Sequence, residues 1–384
     1  MAYQKVATPR FYIDQIQYLK SSGFDFKKAY LDEGFTEEFI NNGENTKHSI
    51  IQDSEVFTFE PNIQKNIISN NGIDSPDDFL YWVVPTGYLT ANELNSSNIG
   101  RYVAFLNHDI GSRNFRGWFN WFDNSNVRTQ DPLLDSIINF DSSTHQISNN
   151  GCSIFELKKD FDGFNPDDNY KNMARIGVAK IETLSNDQVN EVNIGALSWG
   201  TYYDMPHSPE LDITMEIEFD GFDTIKTLGG ATMTNVRYAG SPWWYDVDAN
   251  KVEPWAVGDS AAITKRNGRR TWTMKFSYLD QKNLLSSNYM SNHYMENNSG
   301  YDSNNLGTNE NDEQQFYFNI DNDDSFVSQV LNKVGNGQRF IFQPDNTANN
   351  PSDFAIAMLD QDSLQIKQVA NGVYDISLKI TEVW

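Results

Sequence analysis

The sequence has a single cysteine, few basic residues and no long apolar segment. Cys152 cannot form an internal disulfide, which indicates a reducing compartment, and we expect its side chain to be a small buried apolar group. The longest apolar runs, such as residues 81–84 and 102–106, are far shorter than the roughly 20 residues of a membrane-spanning helix. The first ten residues lack the charged and then apolar pattern of a secretory signal. We therefore expect a soluble chain without a cleaved leader.

Lysine and arginine are scarce, since 29 basic residues stand against 53 acidic ones and give a formal net charge of −24. This charge repels phosphate backbones and anionic lipid headgroups, so nucleic acid and bare membranes are poor partners. Cations, basic protein surfaces and neutral glycans remain. Positive charge is concentrated in what we call the basic cluster, which consists of Lys265, Arg266, Arg269 and Arg270. We expect the basic cluster to contact an acidic patch of another copy of the chain, and the alternative is a solvated loop.

Motifs of catalysis and metal binding are also missing. The five histidines have no metal-binding spacing, and the sequence contains neither a Gly-x-Ser-x-Gly elbow nor a glycine-rich phosphate loop. Residues 246–250 resemble the first half of a calcium loop, but Lys251 and Val257 replace the turn glycine and the bidentate glutamate. We expect His108 to be a hydrogen-bonded residue at a strand end. The sequence therefore predicts no cofactor, no metal and no catalytic site, with a polysaccharide hydrolase as the enzymatic alternative.

Aromatic residues are abundant, at 14% of the chain, and require a large core. Within a cluster over residues 115–122, Trp118 and Trp121 are candidate platforms for stacking on sugar rings, and Trp243 is a third. The alternative for these side chains is ordinary packing in the core of a sheet. A glycan-binding module is therefore an alternative function.

The N-terminal segment carries a capping residue, a proline and apolar residues at helical spacing: Thr8, Pro9, Tyr12, Ile16 and Leu19. These signals predict a helix that ends at Gly23, and a second helix is predicted from Thr36. After residue 41, short runs of β-branched and aromatic residues alternate with clusters of Asn, Asp, Ser and Gly, which is typical of β-sandwiches. The first predicted strands are residues 55–59, 79–84, 102–107, 154–157 and 174–183.

The C-terminal half has the clearest strand patterns. Residues 211–219 and 271–278 alternate strictly between apolar and polar side chains, so each predicts a strand with one wet face. Residues 283–312 are polar and rich in asparagine, and predict a long surface excursion.

Asn371-Gly372 predicts a hairpin turn near the C-terminus. A two-residue turn leaves Ile366 and Ile376 on opposite faces, whereas a three-residue loop with Gly372 at positive φ keeps the apolar residues together. We therefore predict the three-residue loop, which pairs Val369 with Val373, Lys367 with Asp375, Ile366 with Ile376 and Leu364 with Leu378. The last strand is predicted to run to Trp384 with its even-numbered residues 374–380 on the apolar side.

The order of these segments carries a resemblance. The C-terminal half contains residues 229–232, 268–279 and 340–344, and closes with 372–374 and 382–384. This order resembles the minor and distal tail proteins of long-tailed bacteriophages. In the N-terminal half, residues 102–108 and 193–200 are similar to the galactose-binding-like sandwich of some tail and virion proteins. Residues 202–211 resemble a segment of proteins from marine tailed phages.

Together, the strand pattern and the resemblance predict a mainly β chain of two antiparallel β-sandwich domains with a short helical N-terminal arm. The predicted units are residues 1–50, the helical arm, residues 51–205, the galactose-binding-like sandwich, and residues 206–384, a tail-protein-like β domain with the insertion 283–312. The resemblance implies a non-enzymatic structural protein of the virion, assembled in the host cytoplasm, that forms a ring in the tail or tail tip. A capsid-decorating protein is the alternative. The implied partners are further copies of the chain, other virion proteins and a host surface glycan.

Overall fold

The computed structural model describes residues 7–28, 48–50, 55–61, 63–68, 79–85, 98–111, 115–121, 138–139, 151–157, 173–180, 191–219, 222–236, 268–285, 325–335, 337–348 and 353–383. The described structure is mainly β, as the sequence predicts, with a few short helices. The helical segments are α1 Gln15–Ser21, a 3-10 turn Glu55–Phe57, α2 Gln281–Leu284, a π-helix Val327–Leu331 and α3 Asn332–Val334.

Within the described residues, eighteen strands form three sheets. Their bounds are β1 Arg10–Asp14, β2 His48–Ile50, β3 Lys65–Ile68, β4 Phe79–Pro85, β5 Ile99–His108, β6 Phe115–Trp121, β7 Ile138–Asn139, β8 Gly151–Leu157, β9 Met173–Lys180, β10 Glu191–Asp204, β11 Thr214–Glu218, β12 Phe222–Lys226, β13 Thr232–Val236, β14 Arg269–Asp280, β15 Phe340–Gln343, β16 Ala355–Leu359, β17 Ile366–Ala370 and β18 Val373–Glu382.

The largest sheet is antiparallel and has eleven strands in the order β11-β14-β18-β16-β15-β1-β10-β5-β8, with β17 also paired to β18 and β3 to β10. A five-stranded sheet has the order β2-β4-β9-β6-β7, and β12 and β13 form a two-stranded sheet. The largest sheet contains strands from all three predicted units, because β1 lies between β10 and β15. The division at residues 50 and 205 stays a prediction.

The predicted N-terminal helix is wrong over its first half. Residues Arg10–Asp14 form β1, which pairs with β10 on one edge and β15 on the other. Phe11 and Tyr12 are both buried although they point to opposite faces of the sheet, as expected for a central strand. Burial on both faces and hydrogen bonds on both edges outweigh the local helical spacing.

Helix α1 begins after Asp14, which replaces Thr8 as the capping residue. The amides of Ile16 and Gln17 donate to Asp14 Oδ1 at 2.9 and 3.0 Å. The predicted end at Gly23 is confirmed: its φ is +74°, and the next amide bonds back to the Leu19 carbonyl at 3.0 Å. The second predicted helix, from Thr36, lies outside the described residues.

Each face of the largest sheet carries its own core. Phe11, Trp272 and Phe276 belong to one core, which the segment containing the π-helix covers. Phe326 of that segment meets Phe11 with 5.5 Å between ring centroids. Tyr12, Tyr102, Ile154 and Phe354 belong to the core on the other face. Two cores on opposite faces explain the high aromatic content.

Four of the first five predicted strands are confirmed, as β4, β5, β8 and β9, although residues 181–183 lie outside the described part. The strand predicted at residues 55–59 is wrong, because residues 55–57 form a 3-10 turn. The backbone amide and the hydroxyl of Thr58 both donate to the Glu55 carbonyl, at 3.0 and 2.6 Å, and close that turn. The excursion predicted from residue 283 is wrong at its start, because Leu284 and Leu285 are buried in the core, and residues 286–312 lie outside the described part.

The predicted strand at residues 271–278 is confirmed as part of β14, with one correction. The pairing of β14 with β18 shifts register between Phe276 and Leu279. Tyr278, at φ +62°, is therefore 79% exposed, and Leu279 takes the buried position. A bulge of this kind reverses the faces of the residues that follow it.

The C-terminal hairpin confirms the predicted pairs Ile366 with Ile376 and Lys367 with Asp375, and Gly372 has φ +68°. The predicted three-residue loop and the pairing of Val369 with Val373 are wrong, because a second register shift pairs Ala370 with Val373 and leaves the two-residue turn Asn371-Gly372. Leu364 precedes β17, and β18 ends at Glu382. The even-numbered residues 374–380 are buried as predicted.

Candidate functional site

Exposed apolar side chains are concentrated in one part of the chain, described residues 211–219 and 222–236, which we call the assembly arm. Eight of the eleven large apolar side chains that the structure exposes lie there: Leu211, Ile213, Met215, Ile217, Phe219, Ile225, Leu228 and Met233. Single exposed apolar residues are common on protein surfaces, whereas a concentration of them marks an interaction site.

Strand β11 forms the first half of the assembly arm, at one end of the largest sheet. The sequence predicts this strand with one wet face, and the strand is confirmed at Thr214–Glu218, but all five of its residues are exposed. Met215 is 54% exposed although it pairs with Trp272, which is 4% exposed. The apolar face of the sheet therefore continues past its covered core onto an open strand.

The outer edge of β11 pairs with no described strand, because its one neighbour in the sheet is β14. Strands β12 and β13 form the second half of the assembly arm and, within the described part of the chain, pair with each other alone. An open strand edge presents backbone N–H and C=O groups that can hydrogen-bond another strand. The assembly arm thus combines open edges with apolar side chains.

The hairpin of the assembly arm has two different faces. Ile225 pairs with Met233 on one face, and Thr224 pairs with Thr234 on the other. Lys226 pairs with Thr232 on the threonine face and is the hairpin's one basic residue. The turn between the two strands contains Gly229-Gly230, with Gly230 at φ +84°.

The structure describes two residues of the basic cluster, Arg269 and Arg270, whereas Lys265 and Arg266 lie outside the described part. Arg269 pairs with Glu218 and Arg270 with Ile217 along the inner edge of β11, so the structure brings these two arginines to the base of the assembly arm. The Arg270 guanidinium donates to Glu382 at 2.8 and 3.0 Å.

Glu382 is 1% exposed and also accepts from the Arg270 backbone amide at 3.2 Å. Arg270 donates further to the Phe354 carbonyl at 3.0 Å, and its guanidinium lies 5.0 Å from the centre of the Trp272 ring. These contacts all join the Arg270 guanidinium or amide to groups of the same chain. Contact of the basic cluster with another copy stays a prediction.

Of the three tryptophans that are candidate sugar platforms, the structure describes only the backbone of two. Trp118 and Trp121 lie on β6, where they pair with Gly177 and Ala174 of β9. Their side chains, and the whole of Trp243, lie outside the described part. Stacking on sugar rings therefore stays a prediction.

A charged cluster at the end of β1 could not be found from the sequence, because its members come from distant strands. Arg10 donates to both carboxylate oxygens of Asp204 at 2.6 and 2.8 Å and also binds Glu156. The Tyr12 hydroxyl lies 3.2 Å from Glu156 Oε1, and the Tyr202 ring centre is 4.1 Å from the guanidinium carbon. Burial lowers the pKa of Arg10, but hydrogen bonding to Asp204 and the nearby negative charges outweigh it and raise that pKa. The cluster joins β1, β8 and β10 through a permanently charged arginine.

His108 is the hydrogen-bonded strand-end residue that the sequence predicts. The Ile110 amide donates to Nδ1 at 3.3 Å, which leaves Nε2 to carry the proton and donate to Ser153 Oγ at 2.8 Å. Burial lowers the pKa of His108 to about 3, so its imidazole is neutral at physiological pH. Cys152 is buried, which confirms the small buried group expected there, and this burial raises the pKa of its thiol.

A polar cleft of about 530 Å³ lies between α1, the loop after the 3-10 turn and the residues before β15. Its lining includes Gln17, Lys20, Thr58, Glu60, Gln338 and Arg339. Lys20 Nζ is 3.4 Å from the Phe57 carbonyl, and Arg339 donates to the Phe59 carbonyl at 3.1 Å. Within the described part of the chain neither cation forms an ion pair. The cleft thus brings two cations, Lys20 and Arg339, together with one carboxylate, that of Glu60.

Among the described residues, no group of three or more His, Cys, Asp or Glu is arranged to hold a metal ion. No helix in that same part of the chain is long and apolar enough to cross a membrane.

Comparison with known proteins gives no match to this chain, whether with family models, with curated proteins or with solved structures. The resemblance to tail proteins of long-tailed phages therefore stays a prediction, and the assembly arm is the feature on which a functional proposal can be built.

Proposed function

We propose that this chain is a non-enzymatic structural protein that assembles with further copies of itself through the assembly arm, as a tail or tail-tip component of a bacteriophage virion. The observation that supports the proposal is the assembly arm, where open strand edges and eight exposed apolar side chains coincide. The resemblance supports the virion as the setting. A capsid-decorating role uses the same self-association.

The energetics favour burial of this surface. Removing one Ile, Leu or Met side chain from water stabilises a complex by roughly 1.5–3 kcal/mol when the burial is complete. Seven of the eight side chains are already partly covered and Leu228 is fully exposed, so their burial contributes on the order of 10 kcal/mol. That is comparable with the roughly 4–15 kcal/mol lost in translational and rotational freedom, and backbone pairing along the open edges supplies the rest.

A structural role also agrees with the chemistry of the charged cluster at β1. Glu156 and Asp204 are a carboxylate pair that could otherwise be assigned as general acid and base. Both are held by Arg10, and Tyr202 covers its guanidinium. We assign them to the stability of the sheet and propose no catalytic step.

The proposal includes the sandwich architecture that the strand pattern predicts. We propose that the five-stranded sheet is the second layer opposite part of the largest sheet. Support comes from Trp82 of β4, which is buried and meets Phe57 edge to face with 6.3 Å between ring centroids.

Self-association is tested by mass photometry and negative-stain microscopy of the purified chain. We expect discrete closed assemblies of the wild type, and monomers from the double variant Met215→Lys, Ile225→Lys. The matched control is Ile63→Lys, Val369→Lys, which adds the same charges at exposed apolar residues outside the assembly arm. A wild-type chain that stays monomeric at tens of micromolar would refute the proposal, as would equal effects of both double variants. The virion setting is tested by mass spectrometry of purified phage particles. We expect to detect the chain there, and its consistent absence would refute this setting.

A second candidate function, binding of a host glycan that carries a carboxylate, is supported by the polar cleft. Lys20 and Arg339 outnumber the one carboxylate of the lining, Glu60, and can bind a carboxylate, and the amide of Gln338 suits sugar hydroxyls. Saturation-transfer NMR should detect glucuronate but not glucose, and Lys20→Gln should abolish the signal. Lys275→Gln is the matched control, because it removes the same charge at a lysine outside the cleft. The Lys275 ammonium group forms an ion pair with Glu210 at 2.9 Å. Equal signals from both sugars would contradict this function.

A further inference from the structure

We propose that the open edge of β11 is completed by β13 of a second copy, antiparallel and in one register, so that copies join head to tail. This inference rests on the proposed self-association and specifies which two edges meet. In the proposed register Ile217 lies opposite Met233 of the neighbouring copy, and all five residues of each strand are paired.

The two edges match in length and in availability. Both β11 and β13 have five residues, and each has one paired edge and one edge that no described strand occupies. Every strand pair of the largest sheet is antiparallel, so an added antiparallel strand continues the existing pattern.

Charge argues against the symmetric pairs of β11 strands that are centred on Glu216 or Ile217. In an antiparallel pair centred on Glu216, this glutamate meets its own copy, and in one centred on Ile217, Glu216 meets Glu218. Like charges directly opposite each other destabilise a sheet. A shift by one residue avoids this contact but places acidic side chains opposite apolar ones, which the period of two along a strand does not tolerate.

Strand β13 avoids the problem because it contains no charged residue. When Met233 lies opposite Ile217, it joins the apolar face of β11, and Ile225 extends that face by one more strand. Asp223, two residues before Ile225, lies at the far end of the same face. Thr234 and Thr232 then lie opposite Glu216 and Glu218 on the other face, where the hydroxyls can donate to the carboxylates.

Lys226 completes the match. It pairs with Thr232 within the hairpin, so it lies on the glutamate face, two strands from Glu218 in the proposed register. Two strand spacings are roughly 10 Å, which the side chains of a lysine and a glutamate can bridge together. The one basic residue of the hairpin is thereby placed beside the two glutamates of β11.

The same pairing cannot form within one chain. An antiparallel pair of β11 and β13 requires β12 to run in the same direction as β11, so the connection would have to return along a strand of about 17 Å. The connection from Glu218 to Phe222 has four peptide units and spans at most about 14 Å. The partner strand must come from another copy, and repetition of a head-to-tail contact builds a ring or a filament.

Disulfide trapping tests the register. Cysteines at directly opposite positions have Cβ atoms close enough for a disulfide, and the native Cys152 is buried. We expect mild oxidation of mixed Ile217→Cys and Met233→Cys chains to give covalent dimers at least tenfold faster than either variant alone. Thr214→Cys mixed with Met233→Cys is the control, because these residues lie on opposite faces and three positions apart.

The state of assembly is measured by mass photometry in the same samples. Assembly without trapping of the 217–233 pair, or equal trapping of Ile217→Cys alone, overturns the register and leaves the proposed function standing. If the unmodified chain does not assemble, both the register and the proposed function are overturned. As an independent check, Lys226→Glu should weaken association about fivefold, and the added change Glu218→Lys should restore it. Failure of that restoration also counts against the register.

Discussion

Replacing Asp14 by asparagine should stabilise the protein at neutral pH and do so to a smaller extent in mild acid. Asp14 is buried, and burial raises the pKa of its carboxyl from 3.8 to about 6 even though the Gln17 and Ile16 amides and the Ser198 hydroxyl donate to it. Asparagine keeps the oxygen that accepts from the two amides and is as good a capping residue as aspartate. The substitution therefore removes a buried charge and preserves the start of α1.

The sign follows from proton binding. Since the pKa of Asp14 is higher in the folded chain, the folded state binds more protons than the unfolded state between pH 3.8 and about 6. The contribution to stability is full below pH 3.8 and is lost as the pH rises through 6. With these two values, the free energy of unfolding of wild type should fall below that of Asp14→Asn by about 1 kcal/mol at pH 4.5 and by about 3 kcal/mol at pH 7.5.

Urea unfolding at constant ionic strength, followed by tryptophan fluorescence at pH 4.5, 6 and 7.5, measures the difference. Asp25→Asn is the matched control, because exposed Asp25 also accepts a backbone hydrogen bond, from Lys28 at 3.0 Å. Its replacement by asparagine removes an exposed charge instead of a buried one. A pH-independent difference for Asp14→Asn would refute the reasoning, and so would an equal slope for both variants.

Two further predictions concern buried contacts. Arg270→Met should lower the free energy of unfolding by about 3–5 kcal/mol, because it leaves the Glu382 charge buried without its partner; Lys275→Met at an exposed ion pair is the control, and equal urea midpoints for the two variants would contradict the argument. Gly200→Ala should prevent folding or sharply lower the melting temperature, because the new Cβ would collide with the Ile13 carbonyl. Circular dichroism melts check this result, and a melting temperature within a few degrees of wild type would show that the backbone can move apart.

The parts of the fold that the sequence predicts correctly are those whose partners lie nearby in the chain. In the C-terminal hairpin, alternation and the Asn-Gly turn identify the pairing of Ile366 with Ile376. The error at Val369 comes from a bulge, whose position depends on local packing rather than on the alternating pattern. The sequence does not predict the central strand β1, because its partners β10 and β15 lie about 190 and 330 residues away in the chain.

The candidate site follows the same rule. Strict alternation in residues 211–219 predicts the strand β11, but not its place at the end of the sheet, because sheet order depends on pairing with β14 more than 50 residues later. The hairpin β12–β13 contains a recognisable Gly229-Gly230 turn, and this was the signal that could have identified it. The Arg10 cluster has no comparable signal, since Arg10 and Asp204 are 194 residues apart.

Close contacts hold the chain at both ends of β11, the first strand of the assembly arm. A Cβ on Gly268, at φ +84°, would lie 2.6 Å from the Glu218 carbonyl oxygen and 2.6 Å from Ile217, so the chain before β14 approaches β11 closely. Just before the assembly arm, the Glu210 amide donates to the Lys275 carbonyl at 2.8 Å. A strand held at both ends loses little conformational freedom when a neighbour binds, so less apolar area is needed for a given affinity. In the self-association that we propose, this preorganisation would let a short five-residue edge act as a specific contact rather than as a general aggregation site.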